Sequence, residues 1–139
     1  LYFVNRSFMN SFFKAFCPGR IHEDHIFSVP LHLYANRAKY IPMPYFKRRI
    51  RNNSIMNQSF GMKNIDGYVA ALTELKRLSQ EKAEWKELID LYLTQVLNDI
   101  VWIGHKMTFP SKIATYCIFK ELSFNKYISL RNYLVFWLK

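Results

Sequence analysis

The sequence predicts a mostly α-helical protein, a small helical bundle or a set of helical hairpins preceded by a long, extended, basic arm. Two observations favour this fold class. From residue 64 onward, apolar side chains recur at three- and four-residue steps, as on one face of an amphipathic helix. Between residues 16 and 60, prolines and glycines interrupt every candidate helix. We therefore divide the chain into an arm, residues 1–63, and a helical domain, residues 64–139.

Composition narrows the possible functions. The 139 residues are 50% hydrophobic and 22% charged, which is ordinary for one globular domain and argues against wholesale disorder. The 17% aromatic content is high, and the chain has 20 basic side chains but only 10 acidic ones. Residues 1–63 carry a net charge of +8 and the remainder only +2. Such a concentration of positive charge indicates a polyanionic partner.

The first 14 residues combine Arg, Lys and Ser with large apolar side chains, and no acidic residue precedes Glu23. This composition is typical of mitochondrial targeting segments. It suits equally an aromatic arm that docks on a partner. The sequence leaves both interpretations open.

The rest of the arm is predicted to be extended chain with at most one or two short strands. Residues 26–29 and 31–34 alternate in polarity, and Pro42 and Pro44 favour extended backbone at the residues before them. An irregular segment of this length is uncommon inside a compact domain and is usually functional or disordered. Its many aromatic residues predict that it lies against another surface.

The helical domain begins with a helix capped by Asn64 or Asp66, and a second stripe of apolar residues covers 82–103. No Gly or Pro separates them, so one long helix and two helices broken near residues 79–81 both fit. Gly104 is expected to end this region.

Pro110 is expected to open the next helix in its first turn. Two shorter helices, residues 111–122 and 126–138, then flank a turn at 123–125, although a strand at 133–137 is conceivable. Cys117 lies in an apolar run and is expected to be a buried free thiol. The two cysteines show no spacing of a disulfide framework or zinc site.

The run from residue 37 to residue 51 is the strongest candidate site. Six cations alternate there with aromatic rings on a proline-stiffened backbone, and no acid lies between Asp24 and Asp66. Cations neutralise phosphates, and aromatic faces stack on unpaired bases. The residues predicted to bind RNA are Arg37, Lys39, Tyr40, Tyr45, Lys47, Arg48, Arg49 and Arg51.

The run 22–25, His-Glu-Asp-His, lies five residues after Cys17 and resembles a metal-binding pattern. A second ligand pair at familiar spacing is missing, so we expect a polar turn or helix cap and assign no metal and no cofactor. Glu81, Glu84, Glu87 and Asp90 are interpreted as a solvated helix face. Since the sequence also lacks phosphate-loop and nucleophile motifs, we expect that the protein is not an enzyme.

No stretch reaches the roughly 18 uncharged apolar residues of a membrane-spanning helix. The leading hypothesis is a non-catalytic structural subunit of a large ribonucleoprotein assembly, a mitochondrial ribosomal protein that contacts rRNA through its basic arm and neighbouring proteins through its helices. The alternative is an accessory subunit of a mitochondrial inner-membrane respiratory or ATP synthase complex, where the cations meet lipid headgroups or acidic subunits.

Overall fold

The computed structural model describes residues 3–12, 21–22, 24–47 and 59–139. Within these ranges lie six α-helices, and no strand occurs there. They are α1 (Arg6–Phe12), α2 (Asp24–Tyr34), α3 (Met62–Glu81), α4 (Lys86–Gly104), α5 (Phe109–Glu121) and α6 (Leu130–Leu138). Short 3-10 turns precede α4 and α6. The predicted mostly helical class is confirmed.

The chain from residue 62 to residue 104 forms two helices. Lys82 ends α3 with φ −123° and ψ 87°, outside the helical region, and the 3-10 turn Ala83–Trp85 leads into α4. Residues from both helices enter one apolar core. The break lets α4 turn back, so two apolar stripes that one long helix would leave exposed pack together.

Some of the predicted helix ends are confirmed and others are wrong. As predicted, α4 ends at Gly104 and α5 carries Pro110 in its first turn. The prediction that Asn64 or Asp66 caps α3 is wrong, because α3 begins at Met62 after Gly61. The Asn64 side chain instead accepts a hydrogen bond from the Gly61 N–H, with N and Oδ1 3.0 Å apart.

The last helix begins later than expected. Ser129 caps α6 by accepting a hydrogen bond from the Asn132 N–H, and the 3-10 turn Asn125–Tyr127 occupies the residues before it. The alternative strand at 133–137 is wrong, since these residues lie within α6. A serine that can satisfy a free backbone N–H makes residue 129 a better start than residue 126.

Helices α3 to α6 form a bundle in which α5 and α6 run in opposite directions, since Phe109 contacts Trp137 and Tyr116 contacts Tyr133. The Asn98 Oδ1 of α4 accepts hydrogen bonds from Ser129 and Asn132 at the start of α6. Further along α4, a Cβ at Gly104 would lie 3.1 Å from the Phe136 ring of α6. Helices α4 and α6 are therefore parallel, as expected for every second helix of an up-and-down bundle.

The core of the bundle is built from aliphatic and phenylalanine side chains. Its fully buried members include Ile65, Leu72, Leu75, Ile89, Leu93, Leu97, Val101, Phe119, Phe124 and Phe136. The prediction that Cys117 is buried is wrong, because its thiol is exposed. Thr115 and Phe119 are buried one turn apart on α5, and a residue midway between them points to the opposite side of the helix.

The extended arm is not confirmed. The described part of residues 1–63 contains α1 and α2, and Val29 and Leu33 of α2 pack against the core. Residues 26–29 and 31–34, predicted to be extended from their alternation, both lie in α2. Pro30 within this helix is buried together with Leu31, and apolar burial offsets the hydrogen bond that proline cannot donate. The division of the chain at residue 63 remains a prediction.

Candidate nucleic-acid interface

The predicted RNA-binding residues lie in the connection between α2 and α3. Residues 37–47, which we call the basic–aromatic segment, contain neither helix nor strand. The five predicted residues within it are exposed: Arg37, Lys39, Tyr40, Tyr45 and Lys47. The other three, Arg48, Arg49 and Arg51, lie outside the described residues. The structure thus places the first five on a common solvent-facing segment.

Local hydrogen bonds shape the backbone of the basic–aromatic segment. The Met43 N–H donates to the Ile41 carbonyl at 2.9 Å, and the Tyr45 N–H donates to the Met43 carbonyl at 3.0 Å. Each bond closes a three-residue turn centred on a proline, Pro42 or Pro44. The fixed φ of proline, near −65°, suits such turns. The two prolines therefore determine the local backbone conformation of the segment.

Aromatic side chains of the basic–aromatic segment face solvent. Tyr40 is 86% exposed and Phe46 is 67% exposed. The Tyr45 ring meets the Phe3 ring edge to face, with centroids 6.4 Å apart. Phe3 and Phe46 are not among the residues predicted to bind. The aromatic interleaving could have indicated Phe46, whereas the contact between residues 3 and 45 leaves no trace in the sequence.

The cations of the basic–aromatic segment stand apart from the ion pairs of the bundle. In the described ranges, the salt bridges join Arg77 to Glu74 and Glu81, and Lys86 to Asp90. None of these bridges includes Arg37, Lys39 or Lys47. Because the sequence places no carboxylate between residues 25 and 65, the segment presents positive charge without local neutralisation.

A second polar cluster lies where the turn before α2 meets α3 and α4. The His22 ring stacks on Tyr68 with centroids 3.7 Å apart, and the Asn64 amide lies 3.3 Å from His22 Nε2. The Nδ1 atom of His25 shares a hydrogen bond with the Tyr92 hydroxyl. Burial lowers the pKa of His25, and the nearby Asp24 carboxylate opposes that shift only in part.

This cluster contains the histidines for which the sequence predicted a polar turn and no metal. One potential ligand atom from each of His22, Asp24 and His25 lies within 4.8 Å of the other two. Their neighbours Asn64, Tyr68 and Tyr92 come from α3 and α4, more than 40 residues away along the chain. Sequence reasoning missed these three residues because only the packing of α2 brings them to the histidines.

None of the helices in the described ranges has the length and apolar character that crossing a lipid bilayer requires. No family model matches the chain, and neither a curated protein nor a solved structure shows significant similarity to it.

Proposed function

We propose that this protein is a non-catalytic structural subunit of a large ribonucleoprotein assembly, a mitochondrial ribosomal protein that contacts rRNA through residues 37–51. One observation carries the proposal. The basic–aromatic segment exposes cations and aromatic rings together on irregular backbone, with no acidic side chain among them. A folded bundle follows this segment and supplies the part that neighbouring subunits would hold.

The chemistry of the basic–aromatic segment suits single-stranded or looped RNA. Arg37, Lys39 and Lys47 can each neutralise a phosphate and release counterions. Tyr40 and Phe46 offer open ring faces, and stacking of a base on an aromatic ring contributes about 1–3 kcal/mol. Stacking requires unpaired bases, which ribosomal loops and bulges supply. The proline-centred turns reduce the ordering cost of binding, since part of the segment is already shaped.

The outer surface of the bundle supports membership of an assembly. Leu130, Leu134 and Leu138 follow one another at four-residue steps along α6, and each is more than half exposed. Residues at this spacing share one helix face. A row of large apolar side chains in contact with water is typical of a surface that a protein partner covers. This feature fits a subunit held between neighbours.

The decisive experiment measures the salt dependence of RNA binding by the full chain. Fluorescence anisotropy with a labelled single-stranded RNA gives the slope of log K against log salt for the wild type and for a variant with Lys47, Arg48, Arg49 and Arg51 replaced by Ala. Each cation that neutralises a phosphate adds about 0.7 to the magnitude of this slope, so removing four such cations should reduce it by about 3.

The matched control removes the same charge from the bundle. Lys106, Lys120, Arg131 and Lys139 are exposed on or beside α4 to α6, and their replacement by Ala should leave most of the slope in place. An unchanged slope in the first variant, or an equal reduction in the control, contradicts the proposal.

Two further measurements separate RNA from the alternative partner. Ultraviolet crosslinking in the native particle should attach RNA to residues 37–51, and nuclease should release the protein. If the chain instead binds vesicles of anionic lipid and remains with a detergent-extracted membrane complex after nuclease treatment, the accessory-subunit hypothesis replaces this one.

A further inference from the structure

The turn that leads into α2 brings together three side chains that commonly bind metals. The ligand atoms of His22, Asp24 and His25 lie within 4.8 Å of one another. In a tetrahedral zinc site with bonds of about 2.0–2.1 Å, neighbouring ligand atoms are roughly 3.4 Å apart. Asp24 is exposed, so its side chain can rotate toward an ion without disturbing the core.

Both histidine rings are held in place by residues of the bundle. His22 lies flat against Tyr68, with an interplanar angle of 18°. The Asn64 amide nitrogen approaches His22 Nε2 while its oxygen accepts from Gly61. The Asn64 amide nitrogen therefore donates a hydrogen bond to the Nε2 lone pair of His22. A metal ion bound to His22 would use the same lone pair and replace this hydrogen bond. On the other ring, the Tyr92 hydroxyl fixes His25 at Nδ1. The hydrogen bond at Nδ1 of His25 orients the ring for a metal ion at the other nitrogen, whereas the Asn64 bond to His22 would be exchanged for the bond to the metal.

The backbone of the turn has an unusual conformation and packs closely against α3. His22 has a φ of 69°, a left-handed conformation that costs free energy for a residue other than glycine. The carbonyl oxygen of Ile21 approaches α3 so closely that a Cβ at Gly67 would lie 2.1 Å from it. Only glycine at position 67 accommodates this approach. The fold therefore seats His22 on α3 in a strained conformation, next to His25 and Asp24.

We propose that His22, Asp24 and His25 bind a divalent transition metal ion, and that Zn²⁺ is the ion that this donor set favours. Two imidazoles are borderline ligands that suit zinc better than magnesium or calcium, and zinc accepts a carboxylate beside them. A fourth position is left for water. Since the two rings contact α3 and α4, the ion would stabilise the docking of α2 on the bundle by binding the folded state more tightly than the unfolded chain.

The test uses the full chain with Cys17 and Cys117 replaced by Ser, so that thiolates cannot bind the metal. Isothermal titration of the metal-free protein with Zn²⁺ is expected to show one ion per chain. Zinc should also raise Tm, and Co²⁺ should produce the d–d absorption of a low-symmetry site. Replacing His22 or His25 by Gln should weaken binding tenfold or more.

Two variants keep the test decisive if a histidine substitution disturbs folding. Asp24→Asn alters an exposed side chain, so the circular dichroism spectrum should be unchanged while zinc affinity falls. His32→Gln removes another histidine of α2, exposed and outside the cluster, and should leave affinity unchanged. Absence of stoichiometric binding, full affinity in Asp24→Asn, or an equal loss in His32→Gln overturns the proposal.

Discussion

The four-helix bundle and the basic–aromatic segment are both rich in aromatic side chains, yet they place them in opposite surroundings. Phe119, Phe124 and Phe136 are almost completely buried, whereas Tyr40 and Phe46 are mostly exposed. The bundle has apolar residues at helical spacing, and the segment has prolines that exclude a regular element. Aromatic content alone therefore does not decide whether a ring is buried, and Phe124 enters the core even from a turn between two helices.

Some cations of the bundle contact other helices, whereas those of the basic–aromatic segment are exposed. In the bundle, Lys76 donates to the Leu122 carbonyl at 2.6 Å and lies over the Phe124 ring. Lys112 is buried and lies over Phe136. Both lysines help to hold helices together. Arg37, Lys39 and Lys47 of the basic–aromatic segment are exposed, so their positive charge is available to a partner. Two lysines of the bundle thus take part in packing, whereas these three cations of the basic–aromatic segment face solvent.

Truncating a ring in each region is expected to give the largest contrast in stability. Phe119→Ala should lower the free energy of unfolding by about 3–5 kcal/mol, because it leaves a cavity in the core. Tyr40→Ala should change it by less than about 0.5 kcal/mol. Urea denaturation followed by circular dichroism measures both. A loss above about 1 kcal/mol in Tyr40→Ala would mean that the segment packs against the bundle after all.

The polar side chain that fixes α6 provides a sharper test of the bundle. The Asn98 amide nitrogen donates to the carbonyls of Thr94 and Tyr127, and its oxygen accepts from Ser129 and Asn132. Asn98→Ala should cost about 2–3 kcal/mol, since it leaves partly buried groups without partners.

Hydrogen exchange should locate that loss at the start of α6. Gln95→Ala, which changes an exposed side chain of the same helix, should cost less than about 0.5 kcal/mol. Equal losses in the two variants would show that the hydrogen bonds of Asn98 contribute little to stability.

The smallest expected effect concerns a carboxylate of the bundle and its dependence on pH. Tyr127 donates a hydrogen bond of 2.7 Å to Asp90, and burial together with this bond raises the pKa of Tyr127 to about 12. The hydrogen bond from Lys86, reinforced by that from Tyr127, lowers the pKa of Asp90 below its ordinary value of 3.8. Tyr127→Phe should therefore cost about 0.5–1 kcal/mol at neutral pH.

The sign of the pH dependence follows from the lowered pKa of Asp90. Its stabilising contribution is complete above pH 3.8 and disappears as the pH falls through the lower pKa of the folded state. The difference in unfolding free energy between the wild type and Tyr127→Phe should shrink over the same range. A difference that stays constant down to the acid limit would show that the ionised carboxylate is not the acceptor that matters. The basic–aromatic segment contains no acidic residue and should contribute nothing to this dependence.

Parts of the fold are predictable because they depend on neighbouring residues. The apolar spacing after residue 64 predicts helices, Pro110 predicts the start of α5, and Gly104 predicts the end of α4. The prediction for residues 26–34 is wrong, since Pro30 discourages a helix locally while the burial of Pro30 and Leu31 favours one. The prediction for Cys117 is wrong because an apolar run does not say which of its side chains turns inward.

The two candidate sites also differ in whether they depend on neighbouring residues or on distant ones. Arg37, Lys39, Tyr40, Tyr45 and Lys47 are exposed, because charge and proline keep such a run out of a core, while their binding to RNA stays a prediction. The surroundings of His22 and His25 are not predictable in this way. Tyr68 and Tyr92 lie on helices far along the chain, and only the packing of α2 and of the turn before it, where Ile21 contacts Gly67, brings them to the rings.

By itself, the sequence determined the helical character of residues 64–139 and the uneven distribution of charge, since periodicity and composition act over short distances. Only the tertiary structure decided that the chain bends at Lys82, that Phe124 fills the core from a turn, and that two histidines meet two tyrosines. These features depend on which distant surfaces bury each other best, and that free energy belongs to the packed molecule as a whole.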